Sequence, residues 1–285
     1  MSNDAQIRAL AIPEIVTSIL HELDMRTLLA AQRINSVWRN LICNSKSLQE
    51  TLFFRPIRHE AHDNTRVKNP LLAESFPSLF PTHVLGDGNG QNIKLIDLPW
   101  EKNSAFREIF LRPEASWRRM LTHQPPIYKV GGYEYSFSPF LWGWSQAMAD
   151  FSDDGLRMSS LFEYVVDRSP DIWVFETLSI FYPSTFPPGF VESLRHVRRW
   201  KEPQVEMMGQ FDIVFFTFCG MSCTSEEDYE EAREEMEREA REKGIELPDT
   251  DTSVAERIWE YYRKTGAKMR GLEMKKYCEE EGAWD

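Results

Sequence analysis

The chain has 285 residues, of which 42% are hydrophobic and 27% charged, so it can bury sizeable cores beneath an ordinary charged surface. Its net charge of -12 opposes general binding to nucleic acid, whose phosphates are also negative. No apolar run approaches the roughly 20 residues of a membrane-spanning helix, and the first residues lack the apolar stretch of a secretory signal. Four scattered cysteines predict reduced thiols. We therefore expect an intracellular protein, cytoplasmic or nuclear, that binds neither nucleic acid nor membranes.

Three short amphipathic helices are predicted near the start of the chain. The first has Pro13 in its first turn and an apolar stripe at helical spacing: Ile12, Ile15, Val16, Ile19, Leu20 and Leu23. Asp24 and Met25 interrupt the stripe, and Ser36 opens the third helix. The second and third helices carry Leu28, Ala31 and Ile34, and then Val37, Trp38, Leu41 and Ile42. A unit of fewer than about 50 residues buries little surface, so a partner or the rest of the chain should cover its surplus apolar side chains.

A polar segment separates this unit from the remainder. The stretch from His59 to Asn69 has almost no apolar residue, which favours a linker. We therefore predict an N-terminal domain over residues 1–58, a linker over 59–69 and a second domain over 70–285. Residues 1–58 carry a net charge of +2, whereas residues 225–285 carry -9. The two domains are expected to be separable at the linker.

Strands and helices alternate in the first half of the second domain. A strand is predicted over residues 93–98, after a turn at 87–90. A short helix is predicted after Pro113, with Trp117 and Leu121 at helical spacing. Gly131 and Gly132 supply the backbone freedom that a tight hairpin requires.

The remaining elements complete an α+β fold. A helix is predicted over residues 158–166, capped by Asp153 or Asp154. Two apolar runs at 172–182 and 211–219 favour strands that are covered on both faces, at the centre of the sheet. The last sixty residues favour two or three helices, one of them over 226–243 and another opened by a capping box at Ser253. The predicted fold is an N-terminal three-helix domain followed by a mixed α/β domain with C-terminal helices.

The order and spacing of the N-terminal residues resemble the F-box motif across its whole length. The segments that carry the resemblance are Ile12-Pro13-Glu14-Ile15, Ile19-Leu20, Leu23 to Leu28, Ala31 and Arg33 to Ile42. The F-box family uses this three-helix motif to bind the Skp adaptor of Skp/cullin/F-box ubiquitin ligases, while the C-terminal domain selects the substrate. The resemblance implies adaptor contacts by Ile12, Pro13, Ile15, Val16, Ile19, Leu20, Leu28, Ile34, Trp38 and Leu41.

The sequence departs from the family pattern at a few positions of the motif. Asp24 stands where Pro is common, Thr27 where Asp or Ser is common, and Asn35 where Cys is common. Segments beyond the motif, including residues 112–121, look like parts of F-box-like proteins of filamentous fungi. The resemblance implies a non-catalytic substrate receptor that reaches a cullin through its adaptor, with a protein target that the sequence does not name.

Motifs for other chemistry are weak in this sequence. Cys219 and Cys223 lack the spacing and the histidine of a zinc site, and a strand is predicted after Gly86, Gly88 and Gly90 where a phosphate loop needs a helix. No nucleophile-elbow motif is present. We therefore predict neither a metal nor an organic cofactor. Two alternatives stay open: an enzyme with an unrecognised active site in the C-terminal domain, and an F-box scaffold that acts outside a ligase.

Overall fold

A computed structural model describes residues 10–57, 66–80, 91–101, 104–137, 141–168, 175–183, 202–220, 251–266 and 274–283, together with residues 189, 192, 238 and 242. Its helices are α1 (Pro13–His21), α2 (Met25–Ala31), α3 (Ser36–Asn44), α4 (Lys46–Thr51), α5 (Pro70–Ser75), α6 (Ser104–Leu111), α7 (Met158–Asp167), α8 (Glu202–Gln210) and α9 (Asp251–Thr265). Its strands are β1 (Val67–Lys68), β2 (Gln91–Asn92), β3 (His123–Gln124), β4 (Lys129–Phe137), β5 (Leu141–Asp150), β6 (Phe175–Phe181), β7 (Ile213–Gly220) and β8 (Lys275–Ala283). The predicted α+β class is confirmed.

Six strands form one mixed sheet, in the order β2, β6, β7, β4, β5, β8. β4 runs parallel to β7, and every other neighbouring pair is antiparallel. The two apolar runs that were predicted to be central form β6 and β7, which both lie inside the sheet with a partner on each side. β1 and β3 form a separate two-stranded ladder.

The sheet separates two packed layers. One face carries Val130, Ile213 and Phe215, and with α7 and α9 these side chains form the largest apolar cluster, which we call the main core. The opposite face carries Tyr133 and Val214 and is covered by Met207, Met208 and Phe211 of α8 and the residue that follows it. None of the helices in the described part of the chain combines the length and the apolar character needed to cross a membrane.

Gly131 and Gly132 do not form the predicted hairpin turn. Both lie inside β4, and the hairpin instead joins β4 to β5. A Cβ atom at Gly131 would lie 2.7 Å from the Phe211 ring, and one at Gly132 would lie 2.8 Å from the Met274 methyl group. The glycines therefore permit close packing on both faces of the sheet. In the sequence, a glycine pair needed for such packing looks the same as a glycine pair in a tight turn.

Three other predicted elements differ from the structure. Residues 93–98 contain the 3-10 turn Leu95–Asp97 and no strand, and the predicted helix after Pro113 is the 3-10 turn Ser116–Arg119. The last sixty residues were predicted to contain two or three helices and no strand, yet they contain β8, which pairs antiparallel with β5. Edge pairing overrides the helical preference of these residues. The predicted helix over 226–243 lies outside the described residues apart from positions 238 and 242.

The predicted helix over 158–166 is confirmed as α7, with its apolar face buried. Its predicted cap is wrong, because Arg157 occupies the N-cap position and makes no capping hydrogen bond through its side chain. Asp154 instead forms an ion pair with Arg157 at 2.5 Å. The helix therefore begins three to four residues later than a cap at Asp153 or Asp154 would place it. Likewise, α9 confirms the helix predicted from the capping box at Ser253, although it begins two residues earlier.

Helices α1 to α4 form what we call the N-terminal unit, with an apolar core of its own. The buried residues of that core are Val16, Leu20, Leu28, Ala31, Ile42, Leu48 and Leu52. The three predicted helices are present, and α4 adds Leu48, which no sequence signal had assigned to this core. The unit therefore satisfies part of its apolar surface internally.

Phe53 connects the N-terminal unit to the main core. It follows α4 with a φ of 58°, a left-handed conformation that few residues other than glycine adopt. Its ring is buried in the main core, whereas the preceding Leu52 is buried in the core of the N-terminal unit. Its carbonyl accepts a hydrogen bond from the Leu121 backbone N–H at 2.7 Å. These contacts hold the strained backbone in place.

The last residues of the predicted linker are packed. Residues 58–65 lie outside the described part, but Val67 and Lys68 form β1 and pair with β3. Asn69 is fully buried, caps α5 by accepting from the Leu71 and Leu72 backbone N–H groups, and donates to the Leu121 carbonyl at 3.2 Å. The polar composition of residues 59–69 predicted a solvated linker. The side chain of Asn69 instead joins the start of α5 to the backbone at Leu121. A cut at residue 69 would therefore remove packing from the second domain.

Gln124 gives a direct test of this docking. Its side-chain amide donates to the Glu50 carbonyl at 2.8 Å and to the Arg55 carbonyl at 3.1 Å. Gln124→Ala should lower the free energy of unfolding by about 1–2 kcal/mol, because two partly buried carbonyls lose their donor. Urea unfolding followed by circular dichroism measures this. Gln32→Ala is the control, since its amide makes only a long local contact of 3.5 Å. Equal stabilities of the two variants would contradict the docking.

Candidate protein-binding surface

The departures from the F-box pattern supply helix caps in this structure. The Asp24 carboxylate accepts hydrogen bonds from the backbone N–H groups of Arg26 and Thr27, at 3.0 and 3.1 Å, and so begins α2. The Thr27 hydroxyl also donates to Asp24, and these bonds lower the pKa of the Asp24 carboxyl. Asn35 begins α3 by accepting from the Trp38 N–H at 2.8 Å. The substituted residues therefore keep the three-helix geometry by local hydrogen bonding.

The ten residues predicted to contact an adaptor fall into three groups. Val16, Leu20 and Leu28 are buried in the core of the N-terminal unit. Trp38 and Leu41 are half-buried and pack against that core. The remaining five are exposed: Ile12, Pro13, Ile15, Ile19 and Ile34. The buried three shape the surface from beneath, so only the other two groups are open to a partner.

Three of the exposed isoleucines form an apolar face on α1. Ile12 at the N-cap of α1, and Ile15 and Ile19 within it, lie on one side of the helix and remain 44%, 38% and 38% exposed. We call these three residues the apolar face. Leu10, Ile34 and Val37 are also exposed, and Leu10 and Val37 were absent from the predicted set. Helical spacing placed Val37 on an apolar stripe, but the pattern does not indicate which members of a stripe face outward.

A second surface of the N-terminal unit is an open groove of about 400 Å³ between α1 and α3. Its lining residues are Thr17, Val37, Asn40, Leu41, Asn44 and Ser45. The apolar side chains of Val37 and Leu41 are flanked by two asparagines, which gives an apolar centre with a polar edge. Protein interfaces commonly have this arrangement.

The energy available from the apolar face is modest. Each of its side chains is already partly covered, so burying the remainder yields roughly 1 kcal/mol apiece. Association costs about 4–15 kcal/mol in lost translational, rotational and side-chain freedom. The three residues alone would therefore not reach the lower end of that cost. A stable complex needs further contacts, for which the groove between α1 and α3 is a second exposed surface.

The described residues of the N-terminal unit contain few groups suited to chemistry. Cys43 is an exposed free thiol, and His21 is exposed and lies 3.3 Å from the Ser47 hydroxyl. Across the described parts of the whole chain, no three His, Cys, Asp or Glu side chains are grouped as they would be to hold a metal ion.

Comparison of the chain with models of known protein families, with curated proteins and with solved structures finds no match.

Proposed function

We propose that this protein is a substrate receptor of a Skp/cullin/F-box ubiquitin ligase, and that the N-terminal unit binds a Skp-type adaptor. The observation that carries the proposal is the apolar face, where Ile12, Ile15 and Ile19 of α1 stay exposed although Val16 and Leu20 of the same helix are buried. A small unit that has satisfied its own core and still exposes several isoleucines has a surface to offer to a partner.

In this proposal the chain itself performs no chemistry. The adaptor connects it to a cullin, and the α+β domain holds a protein target near a ubiquitin-charged enzyme, which raises the effective concentration of the target's lysines. Such a role requires an intracellular location, in the cytoplasm or the nucleus. The exposed thiol of Cys43 agrees with a reducing compartment.

Ile19→Asp tests the interface directly. Ile19 is 38% exposed, so the carboxylate can remain hydrated in the free protein and should leave the fold intact. In a complex it would be buried without a partner, so capture of a purified Skp-type adaptor should fall at least about tenfold. Ser18→Asp is the matched control, because Ser18 is exposed on α1 next to Ile19 and belongs to no apolar cluster.

The companion variant Trp38→Ala removes a half-buried side chain that packs on the core of the N-terminal unit. It should reduce adaptor capture, and circular dichroism would show how much of that loss comes from unfolding. Adaptor capture that is unchanged in both Ile19→Asp and Trp38→Ala would contradict the interface. Reconstitution with adaptor and cullin then distinguishes a ligase receptor from a scaffold, since only the receptor recruits the cullin.

A further inference from the structure

A polar cleft of about 140 Å³ lies between the C-terminal end of α7 and the sheet. Its floor consists of small residues on three adjacent strands, Gly132, Ser145, Ala147 and Thr217. Strand pairing sets Glu134 beside both Ser145 and Thr217, and sets Gly132 beside Ala147. Tyr164, Asp167 and Arg168 of α7 and its C-cap form one wall, and Met274 forms another.

Two hydroxyl groups open onto this cleft from side chains that are otherwise buried. Tyr164 is 6% exposed and Thr217 is 4% exposed, and neither side chain has a hydrogen-bond partner among the residues that the structure describes. Burial raises the pKa of the Tyr164 hydroxyl to about 12, so it stays neutral. Because both hydroxyls line the cleft and bond to no described residue, they are available to a ligand.

Charge decides which ligand fits. Arg168 forms an ion pair with Glu134 at 3.0 Å, and Asp167 has no ion-pair partner in the described part of the chain. The cleft thus has two carboxylates against one guanidinium, and it lies at the end of α7 where the last carbonyl groups carry partial negative charge. The excess of negative charge favours a cation.

The volume limits the size of that cation. Pockets for drug-sized ligands and cofactors have volumes of about 300–1,000 Å³. At about 140 Å³ this cleft is below that range and is suited to the end of a single side chain or to a small amine. Gly132 provides its depth, because a Cβ there would lie 2.8 Å from the Met274 methyl group and 3.6 Å from the Tyr164 hydroxyl.

We propose that this cleft binds an alkyl ammonium group, as found at the end of a lysine side chain, with Glu134 and the hydroxyls of Tyr164 and Thr217 as acceptors. The inference rests on the proposed function in one respect, namely that the ligand is a lysine of the protein target. A free diamine has the same chemistry, and the experiment separates the two sources.

The experiment uses the whole protein with ¹³C-labelled methionine methyl groups, because the Met274 methyl lies at the cleft. Its signal is assigned with Met274→Leu. Three probes are titrated at physiological salt: an acetyl-Gly-Lys-Gly-amide peptide, the same peptide with acetylated lysine, and 1,5-diaminopentane. We expect the lysine peptide to give a saturable shift of the Met274 signal, tighter than the diamine, and the acetylated peptide to give none.

Four variants test the assigned contacts. Glu134→Gln should weaken binding of the lysine peptide at least about tenfold, because it removes a charge-assisted hydrogen bond. Tyr164→Phe and Thr217→Val each remove one hydroxyl and should weaken it about three- to tenfold. Gly132→Ala should also weaken it, because the flexible end of Met274 must move into the cleft. Glu260→Gln and Tyr261→Phe make the matched changes on α9, at an exposed and a partly buried residue that do not line the cleft, and should have no effect on binding.

Several outcomes would overturn the proposal. Binding that is equal in Glu134→Gln, Tyr164→Phe and the two controls would show only general attraction to an acidic protein. A saturable shift with acetate, or none with any amine, would exclude a cation site. Tighter binding of the diamine than of the lysine peptide would refute a protein lysine as the ligand. Adaptor capture by the same variants should be unchanged, so loss of adaptor binding and loss of amine binding are separate results.

Discussion

Replacing Glu163 by alanine is expected to lower the free energy of unfolding by about 3–5 kcal/mol, because it leaves a buried cation without its counter-charge. Arg118 and Glu163 are 7% and 4% exposed, and their ion pair spans 3.1 Å. Arg118 also donates to the Tyr262 hydroxyl and lies over the Trp117 and Tyr262 rings, at 5.0 and 4.9 Å. The cluster therefore joins the 3-10 turn Ser116–Arg119 to α7 and α9.

Urea unfolding followed by tryptophan fluorescence measures this effect. Glu260→Ala is the control, because the Glu260–Lys264 pair on α9 is exposed and screened by solvent and should contribute little to stability. The double variant Arg118→Met/Glu163→Leu should recover much of the loss, because it removes both charges and keeps the volume apolar. A cost below about 1 kcal/mol for Glu163→Ala would show that the buried pair does not hold these elements together.

The N-terminal helices were predictable because their signals are local. Apolar spacing predicted all three helices, whereas the caps Asp24 and Asn35, which begin α2 and α3 by hydrogen bonds within a few residues, were not predicted as caps. The spacing of apolar residues does not determine which side of a helix faces the core. Ile15 and Val16 are neighbours on one stripe, yet Ile15 is exposed and Val16 is buried. That choice depends on where α3 and α4 pack, which is a tertiary property.

The sheet shows the same division between local and long-range information. β6 and β7 were predicted because strands covered on both faces are continuously apolar. Gly131 and Gly132 were predicted to form a turn, because a pair of adjacent glycines is typical of tight turns. In the structure they are needed for another reason: Phe211 and Met274, which are distant in sequence, pack where a side chain would lie.

The candidate site of the second domain was not predictable at all from the sequence. Glu134, Thr217 and Tyr164 come from two strands and a helix, and no fixed spacing along the chain relates them. Only the register of β4 with β7 and the position of α7 bring them together. The apolar face of the N-terminal unit was predicted in part from helical spacing, because its residues lie close together in the sequence.

Stability should fall as the pH is lowered from 6.5, because of His123. This residue is 4% exposed, and its Nδ1 has no hydrogen-bond partner among the described residues. Its ring lies between those of Phe80 and Tyr182, with centroids 5.8 and 4.8 Å away. Burial, together with the charges of Arg66 and Lys68 and against the opposing charge of Asp212, lowers its pKa to about 3.

The direction follows from where the proton binds. In the unfolded chain a histidine has a pKa near 6.5. Below that pH the unfolded state therefore binds a proton that the folded state does not bind. Above pH 6.5 His123 is neutral in both states and adds no pH dependence. Between pH 6.5 and 5 the free energy of unfolding should drop by about 2 kcal/mol from this residue, approaching about 1.4 kcal/mol per pH unit.

His123→Gln removes the protonation of His123 in the unfolded state. The difference in the free energy of unfolding between the variant and the natural protein should therefore change by about 2 kcal/mol between pH 6.5 and 5. Chemical denaturation at half-unit steps from pH 7.5 to 5 measures it, and the carboxylates, which titrate in both proteins, cancel in the difference. His21→Gln is the matched control, because His21 is exposed on α1. Its curve should run parallel to that of the natural protein. Parallel curves for His123→Gln as well would mean that His123 accepts a proton in the folded state, and the neutral buried imidazole would be refuted.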